Sequence, residues 1–127
     1  MFESIHHVAI ICSDYEKSKA FYVDILGLQV IQEVYREARA SYKLDLALGN
    51  TYVIELFSFP DSPRRLSYPE AQGLRHLAFS VRDLNYVVET LTEKGIEVEP
   101  IRIDPCTEAR FTFFQDPDGL PIEIVEK

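Results

Sequence analysis

Two histidines and two glutamates occupy matched places in the chain and could together bind a metal ion. Glu55 follows His7 by 48 residues, and Glu123 follows His76 by 47 residues. Two imidazole nitrogens and two carboxylates form a donor set without thiolate, which suits divalent Zn, Ni, Co, Mn or Fe. An octahedral ion would keep two positions for water or substrate, as a catalytic metal requires. The spacing therefore predicts that these four side chains bind one divalent metal ion.

The alternative is that each of the four is an ordinary polar residue on a half-exposed strand. For any one of them alone that interpretation would be preferred, but all four stand at equivalent positions of an internal repeat. Both glutamates also lie among apolar residues, in the segments VIELF and PIEIV. A carboxylate on the inner face of a sheet is costly unless it is paired or coordinates a metal. Metal binding is therefore the interpretation we prefer.

The repeat is clearest where each histidine begins an alternating apolar strand that ends at an aspartate. Asp14 follows His7 by seven residues, and Asp83 follows His76 by the same number. Because strand side chains alternate between faces, small or polar residues should share the face of each histidine, and bulkier ones should lie opposite. This pattern predicts a concave sheet with the site inside and the helices outside. His6 should then point away from the site and be structural.

A helix should follow each of these strands. Ser13 and Glu16 fit a capping box at the start of the first helix, and Gly27 fits its C-terminal stop. Asp83 is a good N-cap for the second helix, which Gly95 should end. Three further strands complete each copy. They are predicted at residues 28–35, 43–48 and 52–57, and at residues 96–103, 110–114 and 121–125.

Each copy therefore reads βαβββ, and the fold class is α+β. The first module should span residues 5–58 and the second residues 74–127, within one domain of residues 1–127. Residues 59–73 contain three prolines and no periodicity, so they are predicted to form a linker loop.

Composition excludes several classes of partner. The net charge is −8 and no basic stripe is present, so nucleic acid is not expected as a partner. No apolar run is long enough to cross a bilayer, and the N-terminus does not resemble a signal peptide, so we expect a cytoplasmic protein without a membrane partner. Cys12 and Cys106 form no metal-binding or redox motif and are expected to be reduced packing residues.

The chain resembles the vicinal oxygen chelate superfamily over essentially its whole length. The resemblance is carried by HHVAI-x3-D-x6-FY-x3-LG at the start, RHLAF-x3-D in the middle and FQDPDGLPIEI at the end. Within the superfamily it is most similar to small bacterial proteins of the glyoxalase I type, also called lactoylglutathione lyase-like. That resemblance implies paired βαβββ modules forming a cup-shaped mixed sheet, the glyoxalase/bleomycin resistance/dioxygenase fold. It also implies a homodimer.

The resemblance further implies a set of roles. His7, Glu55, His76 and Glu123 match the ligands of the family one by one. The expected reaction isomerises the hemithioacetal of a 2-oxoaldehyde and a thiol cosubstrate such as glutathione, by metal-assisted proton transfer. By this analogy Glu123 is the first choice for the catalytic base and Glu55 is the second.

One position departs from that pattern. Bacterial glyoxalase I has an arginine four residues after the first histidine, where this chain has Ile11. A small anionic substrate would then need another cation, and the candidates for substrate binding are Arg110, Arg36 and Arg39.

Two other classes of function stay open. The same frame could carry another metal-dependent reaction, such as an epimerase, a thiol transferase or a dioxygenase. It could also belong to a metal-free protein that sequesters a drug. The presence of all four ligands favours the metalloenzyme.

Overall fold

A repeated strand order organises each half of the chain. The computed structural model describes all 127 residues, Met1–Lys127. It divides into two units, Met1–Arg64 and Arg65–Lys127, which contain the two predicted modules and are called module 1 and module 2 below. The division falls inside the segment 59–73, which contains turns but no helix or strand.

Module 1 is a four-stranded mixed sheet with one helix. Its strands run in the order β1-β4-β3-β2, with β1 parallel to β4 and the other neighbours antiparallel. The helix continues into a π-helical turn, and a short 3₁₀ turn joins β2 to β3. The elements are β1 Val8–Cys12, α1 Tyr15–Ala20, the π-helical turn Phe21–Ile25, β2 Gln29–Arg36, the 3₁₀ turn Glu37–Arg39, β3 Ser41–Leu48 and β4 Thr51–Ser58.

Module 2 repeats this plan with the strand order β5-β8-β7-β6. Here β5 is parallel to β8, and β7 is antiparallel to both of its neighbours. The predicted α+β class and the two βαβββ modules are therefore confirmed. The elements are β5 Leu77–Val81, α2 Leu84–Glu93, β6 Arg102–Ile103, β7 Arg110–Gln115 and β8 Pro121–Glu126.

The strand predicted at 96–103 is much shorter than expected, because only Arg102–Ile103 forms a ladder. The backbone N–H of Glu99 still donates to the Phe113 carbonyl at 3.0 Å. The next residue, Pro100, has no N–H to donate. The Thr112 hydroxyl instead donates to the Glu99 carbonyl at 2.7 Å, so a side chain takes the place of a ladder bond.

The helix caps follow the sequence with one correction. The N-cap of α1 is Asp14, whose side chain accepts from the Lys17 N–H, so the capping box predicted at Ser13 is wrong by one residue. Asp83 caps α2 as predicted and accepts from the Tyr86 N–H at 3.0 Å. Gly95 ends α2 with φ +84, a left-handed conformation that only glycine adopts readily.

The two faces of each sheet differ in character. In both modules the helix packs on the face that carries the apolar core. The opposite face carries Glu55 in module 1 and Glu123 in module 2, and we call it the carboxylate face. Neither helix has the length and apolar character needed to cross a bilayer. The core is built by Ile10, Cys12, Phe21, Tyr22, Leu44, Leu46, Ile54 and Leu56 in module 1 and by Leu84, Leu91, Phe114, Ile122 and Ile124 in module 2.

Removal of the α2 cap should destabilise the protein measurably. We expect Asp83→Ala to lower the free energy of unfolding by about 1 kcal/mol, because the Tyr86 N–H loses its acceptor. Asp83→Asn keeps a side-chain oxygen and should stay close to the wild type. Urea denaturation of the three proteins measures this, and equal midpoints for the alanine variant and the wild type would contradict the assigned cap.

Candidate metal centre

The first and last strands of module 1 bring His7 beside Glu55. The parallel ladder pairs Ala9 with Glu55, so the histidine two residues earlier lies on the same face as the carboxylate. His7 Nε2 is 3.6 Å from Glu55 Oε2. The Glu55 side chain is only 16% exposed, and a carboxylate shielded to this degree needs a polar partner or a cation.

Module 2 builds the same pair with the same register. Ala78 is the ladder partner of Glu123, as Ala9 is of Glu55. His76 Nε2 lies 2.9 Å from Glu123 Oε2, and the glutamate side chain is 19% exposed. The structure therefore brings each predicted histidine to the predicted glutamate of its own copy.

The separations within the two pairs suit ligands of one ion. Two donors bound to the same metal at about 2.1 Å, and about 90–110° apart, are themselves separated by about 3.0–3.4 Å. The observed separations of 3.6 Å and 2.9 Å lie close to this range. No group of three or more His, Cys, Asp or Glu side chains able to hold an ion is found in the structure. Each pair by itself therefore offers two donors.

A hydrogen-bond network surrounds the carboxylate of module 1. The Tyr52 hydroxyl lies 2.9 Å from Glu55 Oε2 and 3.0 Å from Asp45 Oδ1. Lys43 Nζ donates to both oxygens of Asp45, at 2.9 and 3.1 Å, and is 3.6 Å from Glu55 Oε2. Burial, and then its bonds to the two carboxylates, raise the pKa of Tyr52, which therefore stays a donor. The bond to Asp45 raises the pKa of Lys43, which stays cationic.

Sequence reasoning missed these three residues. The register of β3 and β4 shifts between Leu46 and Ala47, so Tyr52 rather than Val53 stands opposite Ala47. This irregularity turns the tyrosine onto the carboxylate face, whereas simple alternation from Glu55 places it on the other. The two charged residues in SYKLDLAL, Lys43 and Asp45, were the available signal, because alternation puts both on one face of an otherwise apolar strand.

The corresponding surroundings in module 2 are aromatic. Phe113 stands opposite Glu123 in the ladder, as Asp45 stands opposite Glu55. The His76 ring meets the Phe113 ring edge-on, with centroids 5.1 Å apart. Within module 2 the only polar contact of the Glu123 carboxylate is His76. The two glutamates therefore share a backbone position but differ in their neighbours.

His6 lies closer to the site than alternation suggested. It stands two residues before β1, whereas His7 directly adjoins the strand, so the alternation of β1 does not fix the direction of the His6 side chain. His6 Nδ1 is 2.8 Å from His7 Nδ1, and its ring centroid is 5.2 Å from that of Tyr52. One of the two Nδ1 atoms must carry the proton and the other accept it. This bond orients the His7 ring so that Nε2 faces Glu55. Histidines that bind metals commonly have such a hydrogen-bond partner on their other ring nitrogen.

Arg110, predicted as a substrate ligand, is not brought to Glu123. It shares the helix-side face of β7 with Thr112 and Phe114, whereas the ladder partner of Glu123 is Phe113. Its guanidinium donates to Glu126 at 3.2 Å and to Asn85 at 2.6 Å. These contacts give Arg110 a structural role at the start of α2, where the Leu84 N–H also donates to Glu126.

The other two predicted arginines lie together in module 1. The Arg36 guanidinium carbon is 4.9 Å from the centroid of the Phe57 ring, and the Arg39 carbon is 4.9 Å from that of Phe59. Phe57 follows Glu55 by two residues on β4 and so shares its face. Ile11, the position at which the chain departs from bacterial glyoxalase I, is the ladder partner of Phe57.

Comparison with known proteins gives close relatives over the whole length. The protein YwkD of Bacillus subtilis is 68% identical over 127 residues, covering 100% of this chain and 99% of that protein. YaeR of Escherichia coli is 60% identical, covering 98% and 97%. The crystal structure of a glyoxalase family protein from Enterococcus faecalis has a TM-score of 0.92 at 50% identity and covers 98% of both chains.

More distant relatives carry functional names of several kinds. They include proteins named 2-epi-5-epi-valiolone epimerase, methylmalonyl-CoA epimerase and probable lactoylglutathione lyase. The fold is shared with the fosfomycin resistance protein FosX of Listeria monocytogenes. The family profile described as Glyoxalase/Bleomycin resistance protein/Dioxygenase superfamily matches residues 4–124. With its two βαβββ modules and a His–Glu pair at the same register in each, the chain belongs to this superfamily.

Proposed function

We propose that the protein is a divalent-metal-dependent enzyme that moves a proton at a carbon next to a carbonyl group of a small substrate. In this proposal His7, Glu55, His76 and Glu123 bind one ion together. The observation that carries it is the identical pairing in the two modules, with each His Nε2 close to a poorly exposed glutamate. A tightly bound ion needs more than the two ligands of one pair, so the proposal requires the donors of both pairs.

The chemistry of the donor set suits a catalytic rather than a purely structural ion. When bound, such a metal polarises a carbonyl and stabilises the negative charge that forms on its oxygen. With four protein ligands, an ion that accepts six would keep places for water or for oxygens of the substrate. No cysteine takes part, which fits Ni, Zn, Co, Mn or Fe(II).

Glu123 is the better candidate for the base. The oxygen of Glu55 that faces His7 already accepts the Tyr52 hydroxyl and lies 3.6 Å from the Lys43 ammonium group. A base needs a lone pair that is free to take a proton from the substrate. The Glu123 carboxylate contacts His76 and lies beside the Phe113 ring, so one of its oxygens is available to accept a proton. Glu55 then acts as a fixed ligand, held by Tyr52 and Lys43.

The first candidate reaction is that of a lactoylglutathione lyase. A proton leaves the carbon that bears the thiol sulfur in a 2-oxoaldehyde hemithioacetal, and a proton returns to the neighbouring carbon. The product is the thioester of a 2-hydroxy acid, with no change in composition. Relatives named lactoylglutathione lyase support this candidate. Because Ile11 replaces the expected arginine, we test coenzyme A and bacillithiol beside glutathione as the thiol.

The second candidate is epimerisation of a coenzyme A thioester. It uses the same removal and return of a proton next to a carbonyl. A human protein named methylmalonyl-CoA epimerase is 36% identical over 95 residues of this chain, which favours the candidate.

One set of assays separates these candidates. The purified protein is analysed for metal and incubated with methylglyoxal and each thiol while thioester absorbance is followed. It is also incubated with methylmalonyl-CoA in deuterated water, where epimerisation introduces deuterium. We expect turnover in one arm. Metal-loaded protein that is inert in all arms would overturn both candidates, and metal-free protein that binds a small molecule tightly would indicate sequestration instead.

Loss of a predicted ligand should remove the metal. We expect His76→Ala to lose most of its bound ion, because one of the two proposed donors of module 2 is removed. Its circular dichroism spectrum should match that of the wild type. Elemental analysis of the dialysed proteins measures the stoichiometry. His6→Ala is the comparison and should weaken metal binding less than His76→Ala does, since His6 orients His7 but is not itself one of the four proposed ligands. Unchanged metal content in His76→Ala would refute the assignment.

The two glutamates should respond differently to amide replacement. We expect Glu123→Gln to reduce kcat by at least about 100-fold, because the amide cannot take the proton. Glu55→Gln should keep more activity at saturating metal and mainly weaken metal binding. Steady-state rates at several metal concentrations distinguish the two effects. If Glu55→Gln proves to be the inactive variant and Glu123→Gln the active one, the roles are reversed.

A further inference from the structure

Two arginines on module 1 have no carboxylate partner there. Arg36 lies over the rings of Phe57 and Phe59, 4.9 and 5.8 Å from their centroids, and Arg39 lies over Phe59 at 4.9 Å. The two rings are themselves stacked, with centroids 5.6 Å apart and planes inclined by 16°. Aromatic faces hold guanidinium planes by cation–π attraction without satisfying their N–H groups. We call these four residues the arginine–phenylalanine cluster.

Two other arginines that lie in strands of this chain, Arg102 and Arg110, each form an ion pair with a glutamate. Arg102 also lies over two phenylalanine rings, but it donates to Glu99 at 3.2 Å. Arg110 has Glu126 at the same distance. Arg36 and Arg39 have no such partner in module 1, although the protein has a net charge of −8. The cluster therefore forms a local positive site on an acidic molecule.

The hydrogen-bonding capacity of Arg36 is only partly used. One terminal nitrogen donates to the Ser41 hydroxyl at 3.2 Å, while its buried Nε has no partner. A buried N–H without an acceptor costs free energy that a bound oxygen atom would recover. Nε and a terminal nitrogen together form the edge of the guanidinium fork that binds two oxygens of one carboxylate or phosphate.

The cluster lies next to the candidate metal ligand Glu55. Phe57 and Glu55 are two residues apart on β4, so their side chains leave the same face about 6.6 Å apart. Lys43, which borders Glu55, is the ladder partner of Phe57. The two guanidinium groups therefore lie about one row of side chains away from Glu55 along β4. A small metabolite is long enough to contact both Glu55 and the cluster.

We propose that Arg36 and Arg39 bind an anionic oxygen group, a carboxylate or a phosphate, at the end of the substrate remote from the reacting carbon. The inference rests on the proposed function in one respect only: Glu55 marks where the reacting part of the substrate lies. Arg36 supplies a guanidinium fork over the Phe57 ring, and Arg39, which is exposed, adds a second positive charge. The substrate is then an anionic compound that carries a carboxylate or a phosphate group.

Anion binding tests the cluster without reference to catalysis. The protein as purified is titrated with inorganic phosphate, with acetate and with neutral acetamide, and amide chemical shifts are followed by NMR. We expect saturable binding of phosphate or acetate and none of acetamide. In Arg36→Gln/Arg39→Gln the affinity should fall at least about tenfold, because a charge-assisted contact is lost. Binding of phosphate alone identifies a phosphorylated substrate, and binding of acetate identifies a carboxylate.

Matched variants keep the test decisive. Arg102→Gln removes a stacked arginine that already has an acidic partner, and it should bind the anions as the wild type does. Arg39→Gln changes an exposed side chain, so a several-fold loss in this variant cannot come from misfolding. Equal anion affinity in the wild type and the double variant, or no saturable binding of either anion to the wild type, would overturn the inference.

The outcome is separable from that of the proposed function. Metal content and turnover report on the four ligands, whereas anion titration reports on the cluster. Once a substrate is found, the double variant should raise KM for its anionic form and leave kcat within about twofold, since the contact is made equally in ground and transition states. A fall in kcat at unchanged KM would contradict a binding role.

Discussion

The parallel ladder between the first and the last strand of each module determines where every candidate ligand lies. It sets Ala9 beside Glu55 and Ala78 beside Glu123, and the histidine two residues before each alanine then reaches the carboxylate. A shift of one residue in either ladder would turn the glutamate under the helix and leave a buried charge without a partner. The caps at Asp14 and Asp83 begin the helices that pack on the opposite face.

Both copies of the duplicated frame have a His–Glu pair, but the surroundings of the two pairs differ. Around Glu55 the ladder and its irregularity place a lysine, an aspartate and a tyrosine, whereas the place opposite Glu123 holds a phenylalanine. Two carboxylates with the same backbone geometry can therefore take different roles, one as a fixed ligand and one as a proton acceptor. In enzymes that use two carboxylates, the surroundings of each carboxylate rather than its residue type determine its role.

Much of this frame could be read from the sequence, because a repeat with matched spacing constrains both strands and ligands at once. The strands after α1, the cap at Asp83 and the His–Glu unit of each copy follow from periodicity and turn residues. The rest depends on pairing between strands, which a single sequence does not specify. The side of β7 that carries Arg110, the short β6 after Pro100 and the rotated Tyr52 are all properties of the register. His6 was misjudged because alternation was extended two residues beyond the end of a strand.

The Tyr52 hydroxyl has one hydrogen and two acceptors, Asp45 and Glu55, at almost equal distances. It can donate to only one of them at a time, so a rotation about a single C–O bond selects between two arrangements. Donation to Glu55 orients that carboxylate, whereas donation to Asp45 leaves Glu55 to its other neighbours, His7 and Lys43. The position of one hydroxyl hydrogen therefore helps to set how firmly Glu55 is held.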